Sequence, residues 1–244
     1  MSAWPPDLDG YEPPAPFAHG GIEHWVYRRG QGPAVVVMHE LPGLTPGCLR
    51  FLDRLADEGY RLVVPLLFGK PGKFNLPGNF VRICIANEIN LFARHATHPL
   101  TTWLRALCQT THEENGGDGT GLIGMCLTGN FVLALVTEPG VVAPVAAQPS
   151  LPVFGPAALS MSDEELAASK AAVAQRGTGH VIGFRYRHDV LCRPAKFARL
   201  RAEYGDGFDG LELDGAQHAT LTDHQSPVAL EKTLAFLRER LRPA

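Results

Sequence analysis

The chain has 244 residues, 45% of them hydrophobic and 19% charged, with a formal charge of −3. That length suits one large α/β domain with a buried sheet, and the composition is that of a globule, which excludes a disordered chain. With a slightly acidic balance and no Lys/Arg-rich block, no nucleic-acid partner is expected.

The opening MSAWPPDLDGYEPPAP lacks the basic start and apolar core of a signal peptide. Its prolines break any periodic pattern, so residues 1–20 read as an extended N-terminal arm and 21–244 as a single domain. HWVYRR (24–29) alternates like a strand. AVVVMHE (34–40) is a nearly continuous apolar run, as a strand buried on both faces requires. GCLRFLDRLADEGY (47–60) reads as a helix with a glycine stop, and RLVVPLL (61–67) as the next buried strand. The Gly/Pro-rich FGKPGKFNLPGNF (68–80) predicts a loop, followed by helical patterns over 81–94 and 98–112.

TGLIG (120–124) predicts a strand, FVLALVTE (131–138) its crossover helix and VVAPVAA (141–147) another strand. A helix over 161–177 opens on a capping box, Ser162 followed by Glu165. Strands at 180–187 and 208–213 flank a helix at 193–204, and a last helix runs from Ser226-Pro227 to about Leu241. Strand–helix alternation of this kind predicts a mostly parallel central sheet with helices on both faces.

No apolar run approaches the roughly 18 residues that cross a bilayer, so no membrane association is expected. Cysteines at 48, 84, 108, 126 and 192 form no C-x-x-C pair, which predicts reduced thiols, a cytoplasmic location and no zinc knuckle. His39-Glu40, His188-Asp189, His218 and His224 match no metal-ligand spacing. Gly116-Gly117-Asp118-Gly119 precedes a strand rather than following one, the wrong side for a dinucleotide fingerprint. No metal or cofactor is therefore expected.

In an open parallel sheet, reacting groups gather at the carboxyl ends of strands. Gly124-Met125-Cys126 ends the strand TGLIG immediately before a helix, the layout of a nucleophile elbow. A helix N-terminus behind Cys126 favours negative charge on sulfur, and the Leu127 amide would face an oxygen on whatever the sulfur attacks. A strict G-x-C-x-G would place glycine at 128, where this chain has Thr128 followed by Gly129. The competing reading is a buried structural cysteine.

A thiol nucleophile needs a base and a group that orients the base. Asp189 follows the strand 180–187 and His218 follows 208–213, giving the order nucleophile, acid, histidine. His188 and His224 compete for the base role, and Asp206, Asp209 and Asp214 for the acid.

GLIGMCLTG, a later Asp turn and the turn His218-Ala219-Thr220-Leu221 resemble the dienelactone hydrolase family, cysteine-nucleophile members of the α/β-hydrolase fold. VVVMHELPGL (35–44) and VVPLLFG (63–69) are similar to the family's early strands and their loops. The resemblance covers most of the chain from about residue 22. It implies that Glu40 contacts the nucleophile thiol and that the amides of Leu41 and Leu127 form an oxyanion hole. It also implies hydrolysis of a small ester or lactone through a thioester.

Thr222 stands where members acting on dienelactone carry an arginine that grips the substrate carboxylate, and Arg82 is the candidate for a second such arginine, with Arg94 and Arg105 as competitors. The segment 149–178 looks long for the family and reads as a helical cap insertion. A catalytically silent relative that binds a small molecule or a protein is the alternative. A monomer or a small homo-oligomer is compatible with all of this.

Overall fold

The structure, a computed structural model, describes residues 5–75, 78, 98–150, 155 and 157–241. The predicted helix at 81–94, with Arg82 and Arg94, lies outside these residues. Eight strands make one sheet: β1 (Ala15–His19), β2 (Ile22–Arg29), β3 (Ala34–Met38), β4 (Arg61–Pro65), β5 (Thr120–Met125), β6 (Val141–Ala147), β7 (Val181–Tyr186) and β8 (Phe208–Leu213). Their order is β1-β2-β4-β3-β5-β6-β7-β8. Pairings β1–β2 and β2–β4 are antiparallel, and all others are parallel.

The strand β1 falls inside the proline-rich stretch that reads as an arm. It is tolerated there because it is the outermost strand of the sheet, where Pro16 interrupts no inner ladder. The turn to β2 uses Gly20 and Gly21 at φ of 60° and 81°. The indole of Trp103 donates to the carbonyl of Phe17 at 3.1 Å and fixes the strand from outside.

Six helices are described: α1 (Pro46–Asp57), α2 (Pro99–Asn115), α3 (Gly129–Leu135), α4 (Asp163–Arg176), α5 (Pro194–Tyr204) and α6 (Pro227–Arg240). They divide into two layers because each inner strand is apolar on both sides. In β3, Val36 and Met38 belong to the same core as Trp103, Leu104 and Phe131. The alternate residues Val35 and Val37 pack with Phe51, Leu52, Leu234 and Leu237. Two cores therefore sandwich the sheet, and the near-continuous apolar strands follow from that.

The chain leaves β3 toward β4 on one side, then returns to place β5 on the other. The β3–β5 boundary is thus a topological switch point, and the crevice beyond its carboxyl ends is where ligands bind in such sheets. β3 stops at Met38 rather than running on to Glu40, so His39 and Glu40 enter that crevice region. α4 is the crossover helix between β6 and β7, packed on α3 and α5, and is the described helix of the segment expected to form a cap. Its capping box is present: Ser162 Oγ accepts from the Glu165 amide at 3.2 Å and Glu165 Oε2 accepts from the Ser162 amide at 3.0 Å. No described helix is long and apolar enough to cross a membrane.

Candidate active site

Cys126 has φ of 58°, in the left-handed region that residues with a side chain rarely occupy. It follows β5 directly and opens a 3-10 turn, Cys126–Thr128, that leads into α3. Such strain persists only where the surroundings over-determine it. Here they do. A Cβ on Gly124 would lie 2.5 Å from the Thr128 carbonyl oxygen, and one on Gly129 would lie 3.0 Å from that of Ala147. The close approaches therefore fall at 124 and 129, which leaves position 128 free for a side chain.

Thr128 uses that freedom. Its hydroxyl accepts from the Met125 amide at 2.9 Å and has the carbonyls of Met38 and Met125 within reach, each at 2.9 Å. One buried hydroxyl thus ties the end of β3 to the turn at the end of β5. The departure from glycine is a structural clasp.

His218, in the loop after β8, and Asp189, in the loop after β7, meet as predicted by position: His218 Nδ1 lies 2.7 Å from Asp189 Oδ2. The other carboxylate oxygen, Oδ1, accepts from the amides of Leu191 at 2.8 Å and Cys192 at 3.1 Å. The buried Arg185 holds this loop by donating to the carbonyls of Cys192 and Arg187 and by pairing with Glu212. Burial works against the Asp189 charge, but the imidazole and the two amides outweigh it and hold the carboxyl below its ordinary range. The competitors are elsewhere. His188 and His224 are exposed, Asp209 pairs with Lys232, and Asp214 with Arg187.

The far side of the His218 ring faces the sulfur. Burial pulls its pKa down, yet the Cys126 sulfur and the Asp189 carboxylate together push it up to about 10. An imidazole that keeps its proton places a positive charge beside the Cys126 sulfur. Ser150, just beyond β6, joins them: its Oγ lies 3.3 Å from Cys126 Sγ and 3.4 Å from His218 Nε2.

Glu40 is bonded to the turn that follows His218 and to the residue after β6. Its Oε1 accepts from Thr222 Oγ1 at 2.7 Å and from Gln148 Nε2 at 3.1 Å, whereas the bonded partner of the thiol is Ser150. The physical reason is Thr222, whose short hydroxyl reaches the carboxylate that it faces. Gln148 extends the link, because its Oε1 accepts from the amide and hydroxyl of Thr220, two residues beyond His218. Burial raises the Glu40 pKa against these two donors. Glu40 is thus a fixed strut between the β3 end and the His218 turn.

His39 is fully buried and neutral. Its Nδ1 donates to the Glu40 carbonyl at 2.8 Å while Nε2 accepts from the amides of Leu67 and Phe68. Burial lowers its pKa to about 4. Leu41 and Leu127, the predicted oxyanion amides, follow Glu40 and Cys126 and are both buried at the switch point. Arg105 lies away from this cluster, held by Glu138, Thr137 and the Ala134 carbonyl. Among the described residues no group of three His, Cys, Asp or Glu could hold a metal ion.

Sequence reasoning missed Ser150 and Gln148. Both follow β6, and their place beyond the carboxyl end of the strand beside β5 was a usable signal, since reacting groups gather at that edge.

A model of the dienelactone hydrolase family matches residues 23–175. Solved structures share the fold at low identity. A candidate dienelactone hydrolase from Klebsiella pneumoniae is 16% identical, with a TM-score of 0.66 over 93% of this chain and 96% of that one. An esterase from Pyrococcus furiosus is 11% identical, with a TM-score of 0.67 over 94% and 92%. A dienelactone hydrolase-like promiscuous phosphotriesterase from metagenomic libraries is 17% identical, with a TM-score of 0.62 over 94% and 98%. The fold is that of the α/β-hydrolases. No curated protein matches the sequence significantly.

Proposed function

This chain belongs to the dienelactone hydrolase family, and we propose that it hydrolyses small carboxylic esters or lactones with Cys126 as nucleophile, His218 as base and Asp189 as the group that orients the base. The observation that carries this reading is the His218–Asp189 bond of 2.7 Å beside a cysteine held at φ of 58°. The sulfur attacks the substrate carbonyl carbon, and the Leu41 and Leu127 amides receive the oxyanion. The leaving alkoxide takes the proton from His218 Nε2, which leaves a thioester on Cys126. Water then gives its proton to His218 as it attacks the thioester, and the acid product departs with the thiolate restored.

Thr222 gives its hydroxyl to Glu40 and offers no cation to a substrate carboxylate, which favours neutral esters over charged lactones. The described free cysteines suit a reducing cytoplasm. Turnover of a p-nitrophenyl ester panel tests the reading. Hydrolysis is expected in the parental protein and its loss in Cys126→Ala. Equal turnover by both would contradict the nucleophile assignment, and no turnover by either would favour a silent binding relative.

A further inference from the structure

We infer that Ser150 is a catalytic residue of this site, a hydroxyl that donates to the Cys126 sulfur and stabilises the negative charge the sulfur carries when it acts as nucleophile. This rests on the reading of Cys126 as nucleophile and adds a fourth side chain to the reacting group.

The position is built from three sides. The Ser150 amide donates to the Cys126 carbonyl at 3.1 Å, so the end of β6 is bonded to the elbow itself. The Ser150 carbonyl accepts from Asn130 Nδ2 at 2.5 Å, and the same amide group donates to the Leu127 carbonyl at 3.1 Å. Asn130 Oδ1 in turn accepts from the buried Lys196 Nζ at 3.0 Å. Gly129 permits the approach, because a Cβ there would sit 3.1 Å from Pro149 Cα. Four backbone and side-chain bonds therefore aim one buried hydroxyl at one sulfur.

While His218 Nε2 is protonated, the hydroxyl has one hydrogen and two acceptors, Cys126 Sγ at 3.3 Å and the Gln148 carbonyl at 3.0 Å. A thiolate attracts that hydrogen more strongly than a neutral carbonyl does, because bonds to charged acceptors are roughly twice as strong. A thioester sulfur carries no charge, so after acylation the hydrogen turns to the Gln148 carbonyl or to the deprotonated His218 Nε2. The hydroxyl thus favours the charged sulfur that starts the cycle and that deacylation restores. Its own proton stays on oxygen throughout, and the thiol proton resides on His218. The titratable groups facing this cluster are His218, Asp189 and Glu40, with Cys192 and Lys196 behind it.

Iodoacetamide alkylation of Cys126, followed by peptide mass spectrometry against pH, tests the assignment without an ester. The parental midpoint is the reference against which each variant is read. Ser150→Ala should raise it by about one pH unit and slow alkylation below the midpoint about tenfold, leaving the alkaline plateau unchanged. Ser150→Gly, which also keeps the backbone bonds, serves if the alanine variant does not fold.

Ser150→Thr keeps a hydroxyl and should retain the parental midpoint. The assignment is overturned by no change on removing the hydroxyl, or by a threonine variant that shifts as far as alanine. Ester turnover is read separately. A midpoint that depends on Ser150 in a protein without turnover sinks the hydrolase reading alone. Full turnover with an unmoved Ser150→Ala midpoint sinks the Ser150 assignment alone.

Discussion

At the scale of single residues, the site is a set of short polar side chains that each take one job. Asp189 has both oxygens occupied, one by two amides and one by His218, so its orientation is fixed before substrate arrives. Asp189→Asn would keep the shape but let the amide nitrogen face His218 Nδ1, favouring the wrong tautomer. Turnover is expected to fall about a thousandfold or more, with KM little changed. Steady-state kinetics on one good p-nitrophenyl ester checks this, and an asparagine variant within threefold, roughly, of the parent would remove Asp189 from the mechanism. Glu40 and Thr222 form one buried bond beside the His218 turn. A threonine at 222 bonds the carboxylate in place, and the charge that an arginine there would carry is missing from the site.

At the scale of elements, the elbow depends on glycines at 124 and 129 and on the Thr128 clasp. Gly124→Ala would drive a methyl against the Thr128 carbonyl and the Val132 side chain. The turn must shift, which should cost about 2–3 kcal/mol of stability and most of the activity. Ser162→Ala is the matched control. It removes a cap from α4, costs about 1 kcal/mol, and leaves turnover unchanged because nothing in the site touches Ser162.

Urea melts and turnover of the two variants separate global stability from elbow geometry. Equal activity loss in both would mean that stability alone governs turnover. The elements themselves were legible because each inner strand shows its two-sided burial as an apolar run, and the caps at Ser162 and Ser226 mark their helices. β1 was not legible. An outermost strand with proline carries no apolar signature, and only its pairing with β2 defines it.

At the scale of the whole molecule, the sheet brings residues 40, 126, 150, 189 and 218 to one edge. The order of Cys126, Asp189 and His218 along the chain foretold that convergence, since each follows a strand. The finer bonds were hidden: which polar group meets the thiol depends on side-chain reach across neighbouring strands, as the bond from Ser150 to the sulfur does. The same buried groups set how stability varies with pH.

His39 has a pKa of about 4 in the folded protein against about 6.5 unfolded. As pH falls through that window the unfolded chain binds a proton that the folded one refuses. Stability should therefore drop by about 3 kcal/mol from His39 between pH 6.5 and 4, roughly, with His180 adding in the same direction. His218 acts on the other side. It keeps its proton to about pH 10 when folded, so its contribution is full below the ordinary histidine range and is lost as pH rises toward that value. Urea unfolding against pH should show a flatter acid limb in His39→Gln. An unaltered limb would mean that His39 is not the group refusing the proton.

The central claim is that the sulfur of Cys126 forms a covalent acyl intermediate. Acid-quenching the protein during turnover of p-nitrophenyl acetate, followed by intact and peptide mass spectrometry, reads this directly. One acetyl group on the peptide containing Cys126, absent from the Cys126→Ala protein, is the result predicted. Rapid ester turnover with that peptide unmodified, or with the acetyl group on another residue, would contradict the account.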